Sequence, residues 1–279
     1  MLLSLLLAGS LILPSSAMAS PAAKADEASK AKPPTVKDPP SKEELAAGRD
    51  TGVLIIKKDQ KAKDKLVRVK TKDGWWIVFT YRPGRKGRPV AVLAHGYGSG
   101  RAEWAGLALE LQAKGWGTVA LDLRGHGDSN TGPAGRVDFN FIDSQGTWSD
   151  AVADLEAVLE HLRLQKVPLS RTCLVGASIG ANLVSLAAAR HPGLACSVLL
   201  SPGRDYRGVK LDENPFPKVR TLAAASPEDP YAYQTLVGFE ARRSKIKLLE
   251  ASRGHGVEML RDADFNAELL RWLTRPAKP

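Results

Sequence analysis

The chain has 279 residues, 43% hydrophobic and 25% charged. That balance excludes a disordered or fibrous protein and leaves enough apolar residues for a sizeable core. The formal charge of +10 admits nucleic acid, an anionic envelope surface or acidic substrates as partners. Lysine is concentrated in the N-terminal tail and the strand after it, without interleaved aromatics. This favours solvated surface and loose association with an anionic envelope over nucleic-acid recognition.

In chain order, MLLSLLLAGSLILPSSAMAS comes first: an apolar run, a break at Pro14, then Ala17-Met18-Ala19. This is the layout of a secretory signal peptide over residues 1–19, cut after Ala19, although a charged n-region is missing. The apolar run is only about a dozen residues, short for an uncleaved membrane anchor. Ser10 stands where a lipid-bearing cysteine would be in the lipoprotein-like stretch LLAGS, so thioether lipidation is ruled out there. Export to the periplasm or the exterior is the expectation. Residues 20–50 are rich in Ala, Lys and Pro and lack aromatics, as expected of a flexible linker. One folded domain is expected over 51–279.

KLVRVKTKDGWWIVFTYRPG reads as two strands joined at Asp73-Gly74. RPVAVLAHG is a buried strand, and AEWAGLALELQAKG has helical spacing up to a Gly115 stop. WGTVALDLRGHGDS is a strand running into a polar, glycine-rich loop, and TWSDAVADLEAVLEHLRLQ is an amphipathic helix with Thr147 as candidate cap. RTCLVGAS is a strand, and IGANLVSLAAARHP a helix stopped by Pro192. LACSVLL, VRTLAAAS and KIKLLEAS read as short strands, and VEMLRDADFNAELLRWL as a closing helix. The alternation predicts an α/β protein: a mostly parallel, twisted sheet with helices on both faces and an antiparallel N-terminal hairpin. Ligands of such sheets bind beyond the carboxyl ends of the strands, which is where chemistry-bearing residues should be sought.

Ser178 meets that rule. It sits between a strand and a helix and is flanked by Gly176 and Gly180. A sharp turn there lifts the hydroxyl above the sheet and points a helix N-terminus at it. A serine needs a base to act as a nucleophile. His161 and His191 lie in or at the end of helices and read as surface residues; His95 and His126 precede the serine. His255 follows the last strand on a Gly-His-Gly loop and is the candidate base. Asp229, just past the strand ending near Ala225, is the candidate orienting acid. Asp205 is its competitor and Glu228 a more distant one. Cys173 and Cys196 lie in apolar strands; buried thiols are the default reading, with a disulfide open. No Cys/His spacing suggests a metal, and no phosphate loop or dinucleotide fingerprint is present. No cofactor is expected.

The order Ser178, Asp229, His255 with the Gly-x-Ser-x-Gly turn resembles the α/β-hydrolase superfamily over about residues 65 to 273. LAHGYGSG is similar to its His-Gly oxyanion loop and LDLRGHGDS to its Arg-Gly-His-Gly segment. In detail the sequence resembles small-capped or capless bacterial members akin to dienelactone hydrolase-type and esterase-type proteins, with Ala181 where many carry glycine. It implies a Ser-His-Asp triad, an oxyanion hole from the Tyr97 and Ile179 N–H groups, and a small-molecule acyl substrate, most readily a carboxylic ester. It also implies structural roles for His95, Arg124 and His126. The segment PGRDYRGVKLDENPFPK is too short for a helical cap domain, so an open site is expected. Arg204 and Arg207 within it are candidates to bind a substrate carboxylate or phosphate; a solvated basic loop paired with Asp205 is the plainer reading. Peptidase, thioesterase or perhydrolase chemistry, and a non-enzymatic binding scaffold on the same fold, remain alternatives.

Overall fold

The computed structural model describes residues 64–211, 219–241 and 246–275, and the backbone of 53–58. The expected signal peptide and linker lie outside the described residues. In chain order the strands are β1 (Val53–Lys58), β2 (Lys65–Lys70), β3 (Trp76–Arg82), β4 (Val90–Ala94), β5 (Gly117–Leu121), β6 (Thr131–Gly132), β7 (Gly135–Arg136), β8 (Thr172–Ala177), β9 (Cys196–Leu200), β10 (Asp205–Tyr206), β11 (Val209–Lys210), β12 (Thr221–Ala225) and β13 (Lys247–Glu250). The helices are α1 (Ala105–Ala113), α2 (Phe139–Gln145), α3 (Val152–Leu164), α4 (Ile179–Arg190), α5 (Pro230–Ala241) and α6 (Ala263–Thr274).

The main sheet runs β1-β2-β3-β5-β4-β8-β9-β12-β13. β1, β2 and β3 pair antiparallel, β3 meets β5 antiparallel, and every pairing from β5 to β13 is parallel. The expected α/β fold, with its antiparallel N-terminal strands, is thus observed. Residues along β4 alternate between two cores, as a period of two requires. Val90, Val92 and Ala94 face the core built with α3, α4 and α5. Ala91 and Leu93 face the core built with α1 and α6.

The chain leaves β4 into α1 on one face and leaves β8 into α4 on the other. Adjacent parallel strands whose connections depart to opposite faces open a crevice at their carboxyl ends. The candidate site lies at that crevice.

Four local expectations change. Cys173 and Cys196 are not free thiols: they are register partners on β8 and β9, with Cα atoms 4.7 Å apart, and form a disulfide. Parallel pairing sets both side chains on the same face, within bridging distance. His161 is not a surface residue but is 3% exposed, beneath α3 against Phe79 and Tyr81. Thr147 makes no side-chain cap bond; a 3-10 turn, Trp148–Ala151, leads directly into α3. The closing helix is broken, because Asp262 caps a fresh start by accepting from the Asp264 and Phe265 N–H groups.

Candidate active site

Ser178 is held in a strained conformation, φ 55° and ψ −124°. A non-glycine residue there costs on the order of 1–3 kcal/mol and persists only when its surroundings impose it. The imposition is steric. A Cβ on Gly176 would stand 2.2 Å from the Gly180 carbonyl oxygen, and one on Gly180 2.5 Å from the Ala94 and His95 carbonyl oxygens. Both flanking glycines are therefore required for α4 to press against β8 and β4. The Ser178 N–H donates to the Leu200 carbonyl at 2.8 Å, tying the turn to β9.

His255 and Asp229 meet: Nδ1 lies 2.6 Å from Oδ2. Asp229 precedes α5, and its Oδ1 accepts the Ala232 N–H at 3.3 Å, so a helix start positions the acid. Burial pulls the Asp229 pKa upward, but the hydrogen bond and charge of His255, the Ala232 N–H and the Ser201 hydroxyl outweigh it. The net effect is a carboxyl held below the usual range. Asp205, its competitor, lies elsewhere and accepts the Gly208 N–H at 2.7 Å within the β10–β11 hairpin. Glu228 is exposed.

The His255 loop is fastened beside the serine. The Gly256 N–H donates to Ser201 Oγ at 2.8 Å, and a Cβ on Gly256 would lie 3.2 Å from Ala177 Cβ. Ser201, fully buried just past β9, itself takes a positive φ of 50°. Tyr206 ties the group together. Its hydroxyl donates to the Ser201 carbonyl at 3.2 Å, and its ring stands perpendicular to His255 at 6.4 Å.

On the opposite side the loop after β4 passes close to the serine; a Cβ on Gly96 would lie 3.5 Å from Ser178 Cβ. The Gly96 N–H donates to Glu103 Oε1 at 3.2 Å and the Gly98 N–H to His126 Nε2 at 3.0 Å. Between them the Tyr97 N–H has no acceptor among the described residues, nor has the Ile179 N–H in the first turn of α4. Both N–H groups belong to segments flanking Ser178, and that of Ile179 lies at a helix N-terminus, where the backbone dipole favours negative charge. Glu103 also accepts from Ser99 Oγ. Burial pushes its carboxyl up, against these two hydrogen bonds.

His95 and His126 brace this loop. His95 Nε2 accepts the Leu123 N–H at 3.0 Å while Nδ1 faces the Gly96 carbonyl at 2.6 Å. His126 Nδ1 faces the Arg124 carbonyl at 3.1 Å. Each ring must be neutral to accept at Nε2. Burial, the first cause in both cases, lowers both pKa values to about 4. Arg124 is sunk between Asp154 and Asp73 and is likewise structural.

Arg207 and Arg204 part company. The Arg207 guanidinium ion-pairs with Asp143 and lies 3.6 Å from the centroid of the Tyr97 ring, so its partner is Asp143 rather than Asp205. Arg204 is exposed on the same hairpin. Tyr206 and Arg207 of the β10–β11 hairpin come against two residues of the site, His255 and Tyr97. Sequence reasoning missed Tyr206, Ser201 and Glu103 as site neighbours. Only the hairpin had a readable signal, Arg207-Gly208 within DYRGVK. Among the described residues no group of three or more His, Cys, Asp or Glu could hold a metal.

Residues 85–232 match the family model described as serine aminopeptidase, S33. The matched span includes Ser178 and Asp229 and ends before His255. No curated protein matches the chain. Among solved structures, an esterase from Pyrococcus furiosus superposes with a TM-score of 0.61 at 17% identity, covering 87% of this chain and 98% of that one. Dienelactone hydrolase from Anabaena variabilis gives 0.59 at 18% identity, over 77% and 98%. A carboxylesterase from Mesorhizobium loti gives 0.53 at 24% identity, over 72% and 95%. At such identities the likeness speaks for the fold.

Proposed function

Because the chain belongs to the α/β-hydrolase superfamily, through the serine aminopeptidase S33 family, we propose that it is a serine hydrolase cleaving a carboxylic ester by way of a covalent acyl-enzyme. The observation that carries this reading is the Asp229–His255 contact of 2.6 Å on a loop fastened beside a strained strand-to-helix serine. In this reading Ser178 Oγ attacks the acyl carbonyl, and His255 Nε2 takes the serine proton. Asp229 holds Nδ1–H, which fixes the tautomer and stabilises the imidazolium that forms. The carbonyl oxygen, now negative, is met by the Tyr97 and Ile179 N–H groups; one such donor is worth ~3 kcal/mol in the transition state. His255 passes its proton to the departing alcohol. A water, activated by the same base, then releases the acid from Ser178.

Thioesters and amides, which the same machinery could attack, rank behind carboxylic esters in this proposal. We further propose export, in keeping with the leader-like N-terminus and with the Cys173–Cys196 disulfide, a bond at home in oxidising compartments.

The test is labelling of the full chain with a fluorophosphonate probe beside Ser178→Ala. Labelling that disappears in a folded Ser178→Ala variant is the expected result. Equal labelling of the two proteins, or none in the folded wild type, refutes the nucleophile.

A further inference from the structure

Past β9 the chain turns back as the β10–β11 hairpin, and its tip carries Tyr206 and Arg207. Arg207 and Gly208 both have positive φ, 54° and 84°, as a two-residue hairpin turn of type I′ requires. Arg207 is an uncommon residue for that backbone, and its side chain shows what holds it there. The guanidinium stacks on Tyr97 at 3.6 Å and pairs with Asp143. The tip is thus anchored to Tyr97, in the loop after β4, and to Asp143 on α2.

The base of the hairpin is pinned as well. Asn182, fully buried on α4, donates to the Gly203 carbonyl at 2.8 Å and the Val209 carbonyl at 2.7 Å, and accepts the Gly203 N–H at 3.2 Å. On α5 the Tyr231 hydroxyl accepts the Asp205 N–H at 2.8 Å and donates to the Asp205 carbonyl at 2.7 Å. A Cβ on Gly203 would stand 2.5 Å from the Tyr231 ring and 2.6 Å from the Tyr206 ring, so the two rings close over a position only glycine can occupy.

These restraints leave Tyr206 one place. Its ring lies 5.5 Å from that of Tyr231 and 6.4 Å from that of His255. Its hydroxyl donates to the Ser201 carbonyl at 3.2 Å, just past the end of β9. Three substituents radiate from a carbonyl carbon attacked by Ser178, and of these only the alcohol departs. The carbonyl oxygen turns to Tyr97 and Ile179, the alcohol oxygen must reach His255, and the acyl chain takes the remaining side. Tyr206, whose ring stands perpendicular to that of His255, is the aromatic side chain beside the base that the alcohol must reach.

We infer that the Tyr206–Arg207 tip is a fixed strap across the approach to Ser178, and that Tyr206 is a specificity-determining residue restricting the site to esters of small alcohols. The inference rests on the reading of Ser178 as nucleophile. A pinned base and an anchored tip make the strap a standing wall rather than a lid that swings.

The experiment compares kcat/KM for methyl acetate, benzyl acetate and methyl octanoate in the wild type, Tyr206→Ala and Tyr206→Phe, each also labelled with a fluorophosphonate. Tyr206→Ala is expected to raise the benzyl-to-methyl acetate ratio at least tenfold while the octanoate-to-acetate ratio stays within threefold. Tyr206→Phe, which keeps the ring and removes the hydroxyl, is expected to keep the wild-type ratios. Should Tyr206→Ala fail to fold, Tyr206→Leu, which retains an apolar contact with Tyr231, carries the same expectation. An unchanged benzyl-to-methyl ratio in labelled protein overturns the strap and leaves the nucleophile standing. A gain confined to octanoate overturns it too, since the ring would then wall the acyl side. No labelling of wild type or variants overturns the nucleophile reading and this inference together.

Discussion

His161→Phe should both stabilise the protein and flatten its stability profile between pH 7 and pH 5. His161 is 3% exposed, edge-on to Phe79 at 5.2 Å and Tyr81 at 6.0 Å, and neither ring nitrogen has a hydrogen-bond partner among the described residues. Burying an unpaired polar group costs ~1–3 kcal/mol, a cost a phenyl ring does not bear. Burial first, and the Lys65 charge second, lower the His161 pKa from 6.5 to about 4. The sign follows from proton binding. Between pH 6.5 and pH 4 the unfolded chain binds a proton that the folded chain refuses, so stability falls as the pH falls through that window. For those two pKa values the loss between pH 7 and pH 5 is roughly 2 kcal/mol. His95 and His126 contribute losses of the same sign over the same window, so the wild type should weaken steeply in mild acid. Urea unfolding followed by tryptophan fluorescence at pH 7 and pH 5 measures both quantities. The variant is expected to gain ~1–3 kcal/mol at pH 7 and to lose roughly 2 kcal/mol less than the wild type on going to pH 5. A pH slope identical to that of the wild type would falsify the claim that His161 folds in its neutral form.

Two further outcomes are expected. Asp229→Asn should lower kcat/KM for ester hydrolysis by about 10³–10⁴ with little change in unfolding midpoint, because it leaves His255 in place with the wrong tautomer held; an Asp205→Asn variant with the larger loss would transfer the acid role there. Replacing Cys173 and Cys196 together by alanine removes a cross-link spanning 23 residues of sequence, and should cost ~3 kcal/mol in urea unfolding. A double variant as stable as the wild type would mean the bridge contributes nothing.

Much of this protein is legible in one dimension. Apolar runs such as VAVLA and TCLVGA, bounded by glycine-rich loops and helical stretches, are strands of a parallel sheet because only burial on both faces suits them. The serine is legible for the same local reason: two glycines at fixed spacing around one residue mark a turn too tight for side chains. Other elements gave weaker signals. α2 and α5 were not anticipated, since FNFIDSQ and PYAYQTLVGFEA mix aromatic, polar and small residues without a strong apolar stripe. β1 escaped notice because VLIIKK adjoins a lysine-rich stretch.

What the sequence by itself determined is the type of fold, the serine turn and a short set of acids and histidines lying after strands. Those are consequences of local sterics and of periodic burial, which depend on near neighbours in the chain. Tertiary structure alone decided which acid faces which histidine. Asp205 and Asp229 both follow strands, but the hairpin consumes the first in its own turn while the start of α5 presents the second to His255. The pairing of Cys173 with Cys196, the burial of His161 and the hairpin that sets Tyr206 beside His255 were decided the same way. Each depends on strand register or on contacts between segments tens of residues apart, and no local pattern encodes the distance between them.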